Sequence, residues 1–135
     1  MSAPEYLAWF EKAEHDLLSI SNNLASATVP WDKVTFDAQQ AAEKYLKGLM
    51  VYHGRRPPRT HDLEELLAFC TDYSQGLASL KADCRRLTRL GAVSRYPDVP
   101  GEPTGPDARQ AVQIAHRVRD AIRDCVAADP PRADS

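Results

Sequence analysis

Apolar residues recur along most of the chain at alternating intervals of three and four, the spacing of one face of an α-helix. Phe10, Ala13, Leu17, Ile20 and Leu24 predict a helix over 5–26, with Pro4 at its start and Glu5, Glu11, Glu14 and Asp16 loading its early turns with negative charge. Ala38, Ala42, Tyr45, Leu49 and Tyr52 predict a second over 32–53. There Ala41 and Ala42 leave room for a neighbouring helix, Gly54 serves as the C-terminal cap, and Pro57 and Pro58 prevent continuation. Leu63, Leu66, Leu67, Cys70 and Tyr73 form the inner face of a third helix, capped by Thr60, with Asp62, Glu64 and Glu65 in its first turn and Gly76 at its end. Leu80, Cys84, Leu87 and Leu90 stripe a fourth over 77–92, and Gly91 marks its exit. Ala108, Ala111, Ala115, Val118, Ile122 and Cys125 stripe a fifth that starts near 104–107, under a Thr104/Asp107 capping pair, and ends near 127. Pro97, Pro100, Pro103 and Pro106 recur every third residue, so 95–106 reads as a stiff, extended, non-helical loop. No strand alternation and no internal repeat competes with this pattern. The expected fold is all-α, a five-helix up-and-down bundle over 1–128 followed by a flexible tail at 129–135.

Composition narrows the functional classes. A chain of 135 residues with 43% hydrophobic content supports one domain with its own core, and a net charge of −2 excludes a polybasic nucleic-acid binder. No stretch reaches the roughly 18 apolar residues that a membrane span requires. The absence of a basic-then-apolar N-terminus and the unpaired spacing of Cys70, Cys84 and Cys125 predict a cytoplasmic protein with reduced thiols. There is no glycine-rich phosphate loop, no CxxC and no HExxH, so neither a metal nor a cofactor is expected. His53, His61, Asp62 and Cys70 match no common metal spacing, and Cys84 sits on an apolar stripe.

Charge is nevertheless uneven. Lys81, Arg85, Arg86, Arg89 and Arg95 face only Asp83 within 81–95, and Arg55, Arg56 and Arg59 crowd a turn with no acid. Arg85 and Arg89 lie one helical turn apart. Two arrangements remain open: a phosphate-attracting patch, or pairing of these arginines with the acidic first helix.

Three segments carry a resemblance. Residues 38–49 read AQQAAEKYLKGL, 59–63 read RTHDL and 95–98 read RYPD. In that order they resemble the HEPN family, over nearly the whole chain from 6 to 126. The resemblance implies a helical bundle that dimerises. Small bacterial members of the family pair with a separately encoded minimal nucleotidyltransferase, often as a toxin–antitoxin pair, and other members are metal-independent ribonucleases. From the three motifs, the phosphate- or nucleotide-binding candidates are Arg95, Tyr96, Asp98, Lys44 and His61; the charge pattern adds Arg85 and Arg89.

The ribonuclease branch carries an arginine followed after four to six residues by a histidine. A guanidinium holds the phosphate by paired hydrogen bonds, while an imidazole moves the proton of the attacking 2′-hydroxyl. This chain has no histidine at that distance after Arg95. Arg56 and His61 have the spacing but lie in a proline-rich turn. Arg109 and His116 have it too, on nearly the same face of the last helix and about 10.5 Å apart along its axis; they are the catalytic candidates under this alternative.

Structural roles compete for the same residues. Gln39 and Gln40 would serve packing, Glu43–Lys47 would be an ordinary i,i+4 pair in solvent, His61 and Asp62 would seal the third helix, and Arg95–Asp98 would pin the loop. The expected function is a non-catalytic or weakly catalytic HEPN partner of a nucleotidyltransferase, a homodimer binding nucleotide or RNA phosphate. The alternatives are a metal-independent endoribonuclease toxin and a target of nucleotidylation on a tyrosine such as Tyr96.

Overall fold

The computed structural model describes residues 4–95 and 103–128, with side chains up to residue 92 and again from 103. It contains α1 (Glu5–Leu24), α2 (Trp31–Tyr52), α3 (Leu63–Cys70), α4 (Lys81–Arg95) and α5 (Gly105–Ala128), with a 3₁₀ segment at Gln75–Leu80 leading into α4. The fold is all-α, and no strand occurs among the described residues.

Helix α2 is the axis of the molecule. From Val34 to Met50 its residues are buried on nearly every side, and α1, α3, α4 and α5 all pack against it. The expected stripes supply the core: Ala13, Leu17 and Ile20 from α1, Leu63, Leu66 and Leu67 from α3, Leu87 from α4, and Ala111, Ala115, Val118 and Ile122 from α5. Ala38, Ala41 and Ala42 on α2 are fully buried, so the neighbouring helices do approach closely there.

Several helix ends follow the sequence. Gly54 takes a left-handed backbone (φ 76°), and the Arg55 amide turns back to the Met50 carbonyl at 2.9 Å, closing α2. Helix α5 opens with a reciprocal box: Asp107 N–H donates to Thr104 Oγ1 (3.2 Å) and Thr104 N–H donates to Asp107 Oδ2 (3.4 Å). The third helix differs. Its cap is Asp62, whose carboxylate accepts from the Glu64 and Glu65 amides at 3.0 and 3.3 Å, while Thr60 accepts from Asp62 N–H and donates to Glu65. A carboxylate one residue from the helix outcompetes a hydroxyl three residues away. The Leu63 amide donates across to Thr88 Oγ1 on α4 at 3.0 Å.

The fourth helix departs furthest from expectation. The stretch from 75 to 80 winds as a 3₁₀ segment, with the Ser79 hydroxyl bonded to the Gly76 carbonyl, and the α-helix begins only at Lys81. Gly91 is not its exit. A side chain there would come within 2.8–2.9 Å of Gln39, so this glycine trades helix propensity for direct contact with α2. Arg95 ends α4 rather than opening a loop. Proline disfavours helical backbone in the residue just before it, and Arg95 stands two before Pro97. Gly105 and Pro106 likewise belong to the first turn of α5, where proline is tolerated. The remainder of the proline-periodic loop, 96–102, and the tail at 129–135 lie outside the described residues.

Candidate functional site

Helix α2 buries five polar residues: Thr35, Asp37, Gln39, Glu43 and Lys47. Two serve local structure. Thr35 returns its hydroxyl to the Trp31 carbonyl, and Asp37 accepts from Ser19 (2.8 Å) and Lys33 (2.7 Å). The other three build one connected network around the Glu43 carboxylate. Its Oε1 lies 2.8 Å from His61 Nδ1 and 3.2 Å from Gln39 Nε2, and its Oε2 lies 3.0 Å from Lys47 Nζ. Gln39 also donates to the His61 carbonyl at 3.0 Å and accepts from Gln40 at 2.9 Å.

This corrects the expectation of a solvated Glu43–Lys47 pair: the two side chains are only 7% and 10% exposed. Burial by itself would push the Glu43 carboxyl up, but hydrogen bonds from His61, Lys47 and Gln39 outweigh it and hold the group below the ordinary glutamate value. Residues 39, 43 and 47 recur every four positions along α2, but Asp37, Gln40 and Lys44 stand among them, so the sequence alone does not single out this line as internal.

His61 is where the network meets solvent. Its side chain is 63% exposed while Nδ1 is committed to Glu43, leaving Nε2 for an outside partner. Gly91 against Gln39 and Thr88 against Leu63 bring α4 alongside this point.

The arginines of α4 are mostly engaged. Arg85 grips Glu64 of α3 with two bonds (3.0 and 2.7 Å), and Arg86 binds Gln110 and Asp107 of α5. The expectation that these arginines might pair with the first helix is thereby corrected: their acids come from α3 and α5. Arg89 is exposed and makes no ion pair among the described residues. Arg95 closes α4, and its side chain, with Tyr96 and Asp98, lies outside the described residues. Lys44 is bound to Asp16 at 2.6 Å and joins α1 to α2; burial raises the Asp16 carboxyl against the pull of that lysine.

Arg109 and His116 have different neighbours. The Arg109 guanidinium lies 5.1 Å above the Trp31 ring, at the start of α2. His116 is half-buried, and burial, then Arg119, pushes it below the ordinary imidazole value. Burial pushes the Cys70 and Cys84 thiols up to about 12, which disqualifies both as nucleophiles at neutral pH. No group of three or more metal-ligating side chains converges among the described residues, and no helix there is long and apolar enough to cross a membrane.

No curated protein and no solved structure matches the chain. A family model described as the HEPN domain matches residues 6–125. With four helices packed around a buried α2 and that match over nearly its whole length, the chain belongs to the HEPN domain family.

Proposed function

We propose that this HEPN protein binds the phosphate of a nucleotide or RNA at the surface where α2, the start of α3 and α4 meet. Family membership points to nuclease- or toxin-like or nucleotide-binding function. One observation supports binding at this surface: an exposed imidazole, His61, is fixed by a buried and internally compensated carboxylate, Glu43. A protein that buries a carboxylate, a lysine and an amide to hold one surface histidine has preorganised that ring. The imidazole offers one nitrogen, and Arg89 of the adjacent helix, exposed and without an ion pair among the described residues, adds a positive charge for the same anion.

In this reading the chain acts as a homodimer and as the partner of a separately encoded minimal nucleotidyltransferase, in a toxin–antitoxin-like pair. Arg95, which ends the same helix as Arg89, stays a candidate phosphate-binding residue. The test is nucleotide titration of the full chain beside the His61→Ala and Arg89→Gln variants. Loss of binding in both is expected, with the melting temperature of Arg89→Gln unchanged. Retained binding in both overturns the reading. Incubation with RNA in EDTA separates it from the ribonuclease alternative: cleavage abolished by Arg109→Ala or His116→Ala would move the function to α5.

A further inference from the structure

The edge of the molecule around α3 carries opposite charges that do not meet. In the turn between α2 and α3, Arg56 and Arg59 are exposed and have no carboxylate partner among the described residues. Arg89 and Arg109 share that property, but Arg109 lies over the Trp31 ring and Arg89 belongs to the surface described above. Asp62 and Glu65 have no cationic partner among the described residues: the first caps α3 and the second accepts from the Thr60 hydroxyl. Glu64 beside them is already held by Arg85. Arg59 stands three residues before Asp62, yet the two are not paired, and Pro57 and Pro58 stiffen the turn that separates the charges.

The acids rim a recess. A groove of about 590 Å³ is lined by Asp62, Glu64 and Glu65 at the start of α3, by Ala68 one turn on, and by Ala78 and Lys81 beyond. Ala68 and Ala78 are exposed and short, so the groove is open and apolar behind its acidic rim. The turn has the converse pattern: two half-buried prolines stand between two exposed arginines. Turn and groove lie on neighbouring faces of α3. Phe69 and Asp72 hold Arg55 on one face, while Glu64, Ala68 and Thr71, spaced by four and three, line the other.

Two complementary features side by side make a self-complementary surface, since a two-fold axis passing between them lays each copy's turn on the other's groove. We infer that two copies of this chain meet at this edge, with the Pro57–Pro58 turn of each protomer seated in the α3 groove of its partner and its arginines facing the acidic rim. The inference rests on the homodimer in the reading above and names its face; it draws nothing from the phosphate ligand. Charge disfavours the other apolar candidate. The two exposed large hydrophobics, Leu7 and Leu18, share a stripe of α1, but an antiparallel copy that set Leu7 on Leu18 would also set Glu11 on Glu14.

Sedimentation equilibrium of the full chain tests this by charge exchange. The unaltered chain is expected to be dimeric at low salt and to dissociate as salt is raised, the Debye length falling to about 3 Å at 1 M. Arg56→Glu/Arg59→Glu sets acid on acid, and Glu65→Arg/Ala68→Lys sets cation on cation. Each double variant is expected to raise the dimer dissociation constant more than about tenfold. All four positions are exposed, so both variants are expected to keep the helical circular dichroism of the parent. Mixed one to one, they are expected to recover the dimer, because both contacts of the mixed pair again join opposite charges. Lys12→Gln, an exposed charge on α1, should leave the constant within about twofold. A dimer that neither variant weakens, or a mixture that stays monomeric, overturns the inference and leaves the homodimer to another face. An unaltered chain that is monomeric at about 100 μM in low salt overturns the inference and the homodimer together. Neither result touches the phosphate-binding reading, which the His61 and Arg89 titrations decide.

Discussion

Two acid–base pairs one helix layer apart show how position decides what a charge does. Glu43–Lys47 sits inside, between α2 and the start of α3, with both side chains almost fully covered. Arg85–Glu64 joins α3 to α4 on the surface, with 52% and 28% of the side chains exposed. The surface pair has the better geometry, two parallel bonds against one. The buried pair matters more to the fold, because either partner left alone inside would have no water to replace the other. The inner pair is tied to the shape of the molecule, and the outer pair only decorates it.

The largest break in that contrast comes from Glu43→Ala. It strands the Lys47 ammonium and takes an acceptor from the Gln39 amide and the anchor from His61, and truncating one partner of a buried pair costs about 3–5 kcal/mol; denaturant unfolding should show it. Gly91→Ala comes next. The added methyl meets the Gln39 side chain at 2.8–2.9 Å and must displace the network, an overpacking cost of about 1–3 kcal/mol, visible as a lowered melting temperature.

A pH series sharpens the comparison further. Because the Glu43 carboxyl is held below its ordinary value of 4.5, its stabilisation is present above that pH and lost as pH falls through the folded-state value. Glu43→Gln should therefore lose less stability between neutral pH and pH 3 than the parent does. Asp16 works in the opposite sense: its carboxyl is raised, so its contribution favours the fold in acid and is lost as pH rises through the folded-state value. Asp16→Asn should steepen the acid loss. The smallest effect is Arg85→Gln, for which thermal melts at moderate salt should show no resolvable shift. A large loss there, or a negligible one in Glu43→Ala, would reverse the ranking of the two pairs.

The helical stripes were legible because burial on one face is a local, periodic property. The Thr104/Asp107 box and the Gly54 cap were legible for the same reason, each being specified within four residues. Glu43 and Lys47 were not, since an i,i+4 pair reads identically in water and in a core. What buries it is the start of α3 and the crossing of α4, neither of which the α2 sequence encodes. Gly91 was misread as an exit because a glycine inside a helix and one at its end look alike until the opposing Gln39 is placed. The arginines of α4 gave a basic run, but their acids come from α3 and α5, far away in sequence. Among the candidate residues, the motif points to His61, while the carboxylate that positions it reads as a surface group.

One bond described above governs how the α2–α3 turn meets its surroundings. The Leu63 amide is held by Thr88 of α4, and the other end of the turn is locked by the bond from Arg55 to Met50. A segment fastened at both ends and stiffened by two prolines in the middle does not swing like a lid. Whatever docks on it finds the cations already in place, so little ordering entropy remains to be lost on contact, and capture should proceed at the pace of electrostatically guided diffusion.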